Sequence, residues 1–209
     1  MKILIVYAHP EPTSFNHALH EQAIETLKDQ HEIQVSDLYA MHFNAVANWQ
    51  DYQESFTTCE FSSAQHEAFQ KNKLSPDIQE EQSKLTWCDF IIFQFPLWWF
   101  SVPAILKGWL DRVLTSGFAF DKNKWFATGL LQPRRAMLSV TTQSPFNTFQ
   151  EGGLHGDIHQ YLKPIHHALH FVGITTLAPH IAYAVNIDQE SRTKYLNHYR
   201  EHLLKMLSK

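Results

Sequence analysis

The chain alternates between short runs of apolar residues and longer segments in which apolar residues recur every three or four positions. The apolar runs, many of them β-branched, lie at residues 2–8, 32–39, 89–95, 134–142 and within 175–185. A nearly continuous apolar run such as KILIVYA, the first of these, is typical of a strand buried on both faces of a sheet. The pattern therefore predicts five strands.

The segments between these runs predict helices. After the first run, apolar residues recur at helical spacing, at Phe15, Leu19, Ala23 and Leu27. Ser75 and Pro76 form a cap and a first helical position of the kind that begins a helix, so a helix is predicted from there to the third run. Further helices are predicted at residues 103–114, about 157–171 and 191–207.

Five repeats of strand and helix indicate an α/β fold, with a parallel sheet that has helices on both faces. A single domain over residues 1–209 is expected, and five units fit the flavodoxin-like winding, in which ligands bind beyond the carboxyl ends of the strands. Residues 40–74 are the exception, because they show no clean period and are long for a connection. Such segments are usually functional or packed on another subunit.

Composition excludes several classes of protein. The net charge of −4 gives no general attraction to nucleic acid or to an anionic membrane. Gln94, Ser101 and two prolines interrupt the apolar stretch 90–106, so we expect a strand, a turn and a helix there rather than a membrane span. Cys59 and Cys88 form neither a disulfide framework nor a metal-ligand pattern, and no metal site is predicted. Without a recognisable secretory signal, the expected location is the cytoplasm.

The loop after the first strand is a candidate anion site. Thr13, Ser14 and Asn16 crowd the start of the first helix, close to His9. Free backbone amides and the positive end of the helix dipole bind anions there, although an ordinary helix cap would use the same residue types. Neither G-x-G-x-x-G nor G-x-x-x-x-G-K-[ST] occurs, which disfavours a dinucleotide Rossmann site or a P-loop.

Two further loops carry the remaining candidate chemistry. Residues 96–100, in the stretch FQFPLWWFSVP, lie beyond the end of the third strand, where flat rings line a pocket more often than a core. The loop after the fourth strand offers hydroxyls, an amide and backbone donors at Thr141, Thr142, Gln143 and Ser144. His155 follows, flanked by glycines that allow a close approach of the backbone to a ligand. An anion site, a flat platform and a hydrogen-bonding edge together favour a phosphorylated planar cofactor, a flavin.

Five segments resemble the NAD(P)H:quinone oxidoreductases of the DT-diaphorase type, in the same order and over almost the whole chain. They are AHPEPTSFNHA (8–18), SDLYAMHFN (36–44), LSPDIQEEQ (74–82), FQFPLWWFSVPAILKGWLDRV (93–113) and GLHGD (153–157). The resemblance implies a homodimer with its active site at the subunit interface, which residues 40–74 help to build. It also implies non-covalent FAD, with FMN less expected. NADH or NADPH would give a hydride to the flavin and leave, and a quinone would then be reduced in a ping-pong sequence.

The resemblance also assigns roles to individual positions. The segment that holds the FAD pyrophosphate corresponds to His9, Ser14, Phe15, Asn16 and Ala18. The segment under and around the isoalloxazine corresponds to Pro96, Leu97, Trp98, Trp99 and Phe100, and the loop at the ring edge to Thr141, Thr142, Gln143 and Ser144. Arg192 corresponds to a residue near the adenine. His155 matches the catalytic histidine that manages charge on the reduced flavin, and Phe149 stands at the position of its partner tyrosine.

The chain also departs from the family pattern. The family's T-T-G-G reads TTQS here, so Gln143 and Ser144 replace glycines. Phe149, Phe120 and Lys122 stand where active-site tyrosines are expected, which favours flatter or less polar acceptors. Two other functions fit the same cofactor: reduction of azo or nitro compounds, and a regulatory flavoprotein subunit of a potassium efflux system.

Overall fold

The centre of the fold is a parallel sheet that contains β1 (Lys2–Tyr7), β2 (Glu32–Asp37), β3 (Phe90–Pro96) and β4 (Arg135–Thr141). The structure is a computed structural model that describes residues 1–54, 60–185 and 188–207. The order β2-β1-β3-β4 continues to β5 (Thr175–Thr176), and β6 (His180–Ala182) also pairs with β4. The predicted flavodoxin-like fold class is confirmed. Cys59 lies outside the described residues.

The fifth strand position is occupied by two short pieces rather than by one continuous strand. β5 and β6 both run parallel to β4, and Leu177 still donates to the carbonyl of Ala136 at 2.8 Å. Pro179 then interrupts the ladder, because proline has no N–H to donate. The sequence therefore located this strand correctly and missed its interruption.

Two layers of helices cover the sheet. On one face lie α1 (Phe15–Leu27) and α6 (Gln189–Leu207), and on the other α3 (Pro76–Trp87), α4 (Ala104–Val113) and α5 (Ile158–Phe171). The side chains of β1 alternate between the layers, with Leu4 and Val6 in one apolar cluster and Ile3 and Ile5 in the other. This explains the nearly continuous apolar run of the first strand, which is buried on both faces.

Residues 40–54 and 60–74 are more ordered than their missing period indicates. The sequence did not predict helix α2 (Phe61–Gln70), which buries Ala64 and Ala68 in a separate cluster with Tyr52 and Leu74. Its fully buried residues are two alanines and Gln65, which give only a weak apolar signal.

The segment 40–54 is held against helix α4 by a buried ion pair and by a close backbone approach. Arg112 lies 2.9 Å from Asp51 and 2.5 Å from Asp77, and only 2% of Arg112 is exposed. A Cβ atom at Gly108 would lie 2.1 Å from the carbonyl oxygen of Ala45, so only glycine allows this contact. Whether this region builds a dimer interface stays a prediction. None of the described helices combines the length and the apolar character that a membrane span needs.

Candidate active site

A cleft of about 730 Å³ opens at the carboxyl ends of β1, β3 and β4. All the predicted site residues except Ala18 line it: His9, Ser14, Phe15, Asn16, Pro96, Leu97, Trp98, Trp99, Phe100, Thr141, Thr142, Gln143, Ser144, Phe149, His155 and Arg192. Ala18 lies one turn into α1, where it packs against the apolar cluster under that helix. The sequence reasoning did not single out Glu11 and Val185, which also line the cleft.

The anion end of the cleft is the beginning of α1. Ser14 is the N-cap, and its hydroxyl accepts a hydrogen bond from the backbone N–H of His17 at 3.1 Å. The other amides of the first turn have no partner within the helix, and the helix dipole favours negative charge there. Asn16 is 2% exposed and donates to the hydroxyl of Thr141 at 3.0 Å. Its Oδ1 is buried and has no hydrogen-bond partner among the described residues.

His9 connects this end to the aromatic part of the cleft. Its Nδ1 accepts from the backbone N–H of Glu11 at 3.1 Å, and its ring lies 5.5 Å from that of Trp98. Burial lowers the pKa of His9 below its ordinary value, only partly offset by the charge of Glu11. With Nδ1 as an acceptor, the neutral ring carries its proton on Nε2, where it is a donor for a phosphate oxygen.

The aromatic platform is a tight turn, which the sequence predicted between the third strand and the following helix without giving its geometry. Trp98 and Ser101 exchange two backbone hydrogen bonds, at 3.1 and 3.0 Å. The two residues between them have positive φ, 50° at Trp99 and 59° at Phe100. This is the geometry of a type I′ turn, whose two central positions are rarely occupied by bulky residues. The turn leaves the Trp99 side chain 91% exposed beside the cleft.

The third wall has a fixed backbone. Backbone hydrogen bonds of 3.0 to 3.2 Å join this loop to the end of β6 and to the residues after it. The N–H of Thr142 donates to the carbonyl of Ala182, and the carbonyl of Thr142 accepts from Val185. The carbonyl of Ser144 accepts from Ala184. The remaining polar atoms of this loop therefore face the cleft from set positions.

His155 contacts aromatic rings and hydrogen-bond partners from the surrounding loops and from α5. Its ring lies between the rings of Phe149 and Phe100, at centroid distances of 4.9 and 5.3 Å. Nε2 is 3.2 Å from the hydroxyl of Ser144. The backbone N–H of His155 donates to Thr148 at 2.8 Å, and the hydroxyl of Tyr161 donates to its carbonyl oxygen. Tyr161 carried no signal in the sequence, because it lies inside a helix six residues from the histidine.

Arg192, on the first turn of α6, lies at another part of the wall. Its guanidinium lies over the ring of Phe15, 5.0 Å from the centroid. Phe120 and Lys122 do not line this cleft. Phe120 instead packs on Phe171 and borders a second, largely apolar cavity of about 630 Å³.

The described residues contain no group of three or more histidine, cysteine or acidic side chains that could hold a metal ion. The cleft instead combines a helix N-terminus, flat apolar rings and a fixed hydrogen-bonding loop, which together suit a planar molecule carrying phosphate.

Comparison with known proteins identifies the family. The family model described as having a flavodoxin-like fold matches residues 1–207. The ribosyldihydronicotinamide dehydrogenase (quinone) of Homo sapiens is 46% identical over 198 residues, which are 92% of this chain and 86% of the human protein. The NAD(P)H dehydrogenase (quinone) 1 of Rattus norvegicus is 40% identical over 211 residues, covering 97% of this chain and 76% of the rat protein.

Solved structures give the same result. A Klebsiella pneumoniae protein named a putative quinone reductase superposes with a TM-score of 0.93 at 36% sequence identity, covering 99% of this chain and 85% of that chain. Because the family model and these relatives span almost the whole chain, the chain belongs to the flavodoxin-like family of NAD(P)H:quinone oxidoreductases.

Proposed function

We propose that the chain is an NAD(P)H dehydrogenase that reduces quinones by two electrons through bound FAD. The observation that carries this proposal is the convergence of three loops from different strand ends on one cleft, in a member of this family. Each loop supplies what one part of a flavin nucleotide needs. Family membership alone does not ensure this convergence of loops in a chain that has Gln143, Ser144 and Phe149 in place of the family's residues.

The residues fit the parts of FAD in a definite order. The amides at the start of α1, the hydroxyl of Ser14 and the Nε2 proton of His9 would hold the pyrophosphate. The unpartnered Oδ1 of Asn16 would accept from a hydroxyl of the ribityl chain. The cleft continues to Arg192, whose planar guanidinium over Phe15 offers a stacking surface for adenine. This extension favours FAD over FMN.

A bound flavin supplies the two-electron chemistry, a hydride taken from the nicotinamide and passed to a quinone once the nucleotide has left. The chain would position the hydride donor and the acceptor against the ring, stabilise the charge on the reduced cofactor and exclude water. The backbone of residues 97–100 and the fixed loop 141–144 would set the height and the edge of the ring, so that donor and acceptor stack against the same face.

His155 is the residue we assign to proton and charge management. It is half-buried between two phenylalanine rings, close to the loop that would carry the ring edge. A protonated imidazole there would stabilise the negative charge that reduction adds to the cofactor, or would give a proton to a quinone oxygen. Phe149 packs against the imidazole at a tilt and takes no part in proton transfer, because it has no hydroxyl.

The hydride donor we propose is NADH or NADPH. Within the described part of the chain, Arg192 is the only lysine or arginine that lines the cleft, and we assign it to the adenine end of FAD. A ribosyldihydronicotinamide, the donor in the name of the human relative, is a third donor to compare.

We further propose that the active enzyme is a homodimer that buries residues 40–54 and the apolar cavity beside the cleft. Large apolar side chains in and near this region are exposed in the single chain, Val46 at 65% and Trp49 at 52%. The cavity reaches the cleft through Tyr161, which contacts both Phe100 and His155. Light scattering of the purified protein tests this directly, and a monomer at micromolar concentration would refute it.

The deciding experiment is anaerobic reduction of the purified protein with its bound flavin. The flavin is first released and identified, and recovery of FMN alone would refute the FAD assignment. The holoprotein is then mixed with NADH, NADPH or a ribosyldihydronicotinamide, followed by a small benzoquinone. Rapid bleaching and full reoxidation without a one-electron signal would support the proposal.

The same experiment separates the alternative functions. Turnover of azo or nitro compounds well above that of quinones would make the chain a reductase of those acceptors on the same site. A flavin that stays oxidised with every donor would refute the enzyme function and favour a regulatory flavoprotein. Co-purification with a potassium efflux system would then be the next observation to seek.

A further inference from the structure

Ser144 makes a contact with the candidate catalytic histidine that the family pattern does not contain. Its Oγ lies 3.2 Å from Nε2 of His155. The rings of Phe100 and Phe149, which flank the imidazole, offer it no hydrogen bond. Among the described residues, no other side chain hydrogen-bonds a ring nitrogen of His155.

Two departures from the family pattern meet at this imidazole. The resemblance implies a tyrosine at Phe149 and a glycine at Ser144. The chain therefore loses a hydroxyl at one position and gains one at the other. Both positions contact the same ring, Phe149 by a tilted ring contact at 4.9 Å and Ser144 by the hydrogen bond.

Hydrogen bonds hold the backbone of Ser144, so movement of the loop does not displace its side chain. Its N–H donates to the hydroxyl of Thr142 at 3.2 Å, and its carbonyl accepts from Ala184 at 3.2 Å. Rotation about χ1 and rotation of the hydroxyl hydrogen are the motions that remain. A serine hydroxyl both donates and accepts. It can therefore donate to an unprotonated Nε2 or accept from a protonated one, with no movement of heavy atoms.

We propose that Ser144 is the positioning residue for His155, and that its hydroxyl takes the orienting part that a tyrosine hydroxyl at Phe149 would have. It fixes the plane of the imidazole, and it keeps its hydrogen bond whether or not Nε2 carries a proton. The proposal rests on the proposed function, because it names the partner of the histidine that manages the proton there.

The first test reads the ring directly and does not depend on turnover. The full-length protein, labelled with ¹⁵N-histidine, is compared with Ser144→Ala, with its flavin bound and after its removal. The His155→Gln variant identifies the resonances. We expect Ser144→Ala to shift the His155 Nε2 resonance, because that nitrogen loses its hydrogen-bond partner, and Ser144→Thr to restore it. Asn147→Ala, which shortens an exposed side chain of the same loop, should leave it unchanged. An unchanged Nε2 resonance in Ser144→Ala would overturn the proposal.

The second test reads the chemistry. Loss of one orienting hydrogen bond should slow flavin reduction roughly three- to tenfold in Ser144→Ala, with the KM for the donor little changed and with the Thr variant retaining the rate. A slower rate with unchanged ring resonances would mean that the hydroxyl acts on the cofactor and not on His155, which also overturns the proposal. If no donor reduces the flavin, the proposed function fails, and the ring resonances still decide the role of Ser144.

Discussion

Four buried polar side chains face one another across the sheet, and one of them makes the stability of the fold depend on pH. In-register pairs join Tyr7 to Gln94, Gln94 to Ser139 and Ser139 to His180, on the side of α1 and α6. We call these four residues the polar row. Both amide atoms of Gln94 and Nδ1 of His180 have no hydrogen-bond partner among the described residues.

His180 is the member of the polar row whose ordinary pKa lies near neutral pH. Burial lowers the pKa of His180 from 6.5 to about 3, and the nearby His202 and His198 act in the same direction. The folded protein keeps this ring neutral while the unfolded chain takes up a proton below about pH 6.5, so stability is lost as the pH falls from there toward 3. Between pH 7 and 4.5 the loss amounts to about 2.5 kcal/mol, at about 1.4 kcal/mol for each pH unit. The melting temperature should fall by about 5 to 10 °C from this group alone.

Urea unfolding of the wild type and of His180→Gln at pH 7 and pH 4.5 measures this contribution. Glutamine keeps a polar side chain in the row but does not titrate, so the variant should lose about 2.5 kcal/mol less than the wild type between the two pH values. Groups that titrate in both proteins cancel in this comparison. His159→Gln, at an exposed position of α5, should follow the wild type. Equal losses in wild type and His180→Gln would refute the reasoning.

Three further predictions test the anchored segment and the cofactor site. Arg112→Met should lower the free energy of unfolding in urea by about 3 to 5 kcal/mol, because it leaves buried Asp51 unpaired. The control Lys107→Met, which breaks an exposed pair, should lower it by under about 1 kcal/mol. Equal losses in the two variants would contradict this reasoning. Gly108→Ala should lower stability by about 1 to 3 kcal/mol, since its Cβ would meet a backbone carbonyl, and an unchanged unfolding midpoint would refute the close approach. Asn16→Ala should weaken flavin binding about tenfold in a fluorescence titration through loss of a hydrogen bond, and unchanged affinity would remove Asn16 from the cofactor site.

The sequence predicts the frame of this molecule well because burial on two faces leaves a strong pattern. β1 and β3 are buried along nearly their whole length, and each reads as a nearly continuous apolar run. The polar row shows the limit of that reasoning. Gln94 and Ser139 stand inside buried strands, and nothing in the order of residues shows that they are in register with each other and with His180.

Helix α2 and the conformation of the turn after β3 were not predicted, for physical reasons. Helix α2 buries alanines, whose small apolar surface gives little periodicity, and it packs on Tyr52 rather than on the main sheet. The turn at residues 98–101 has aromatic residues at two positions that normally take glycine or asparagine. Propensity argues against that turn, so only the end of β3 and the two backbone hydrogen bonds between Trp98 and Ser101 determine it.

The convergence of three loops follows from register rather than from any one motif. Ala8 donates to Gln94, and Pro96 lies opposite Thr141, so β1, β3 and β4 end at nearly the same level. After β1 the chain continues into α1 on one face, and after β3 it continues into α4 on the other. The loops separate there and leave the crevice in which this fold binds its ligands. The anion site, the aromatic platform and His155 are far apart in sequence, and each alone has an ordinary structural explanation. The shared level of the strand ends makes them one site, so a substitution that shifts the β3–β4 register would affect every wall of the cleft at once.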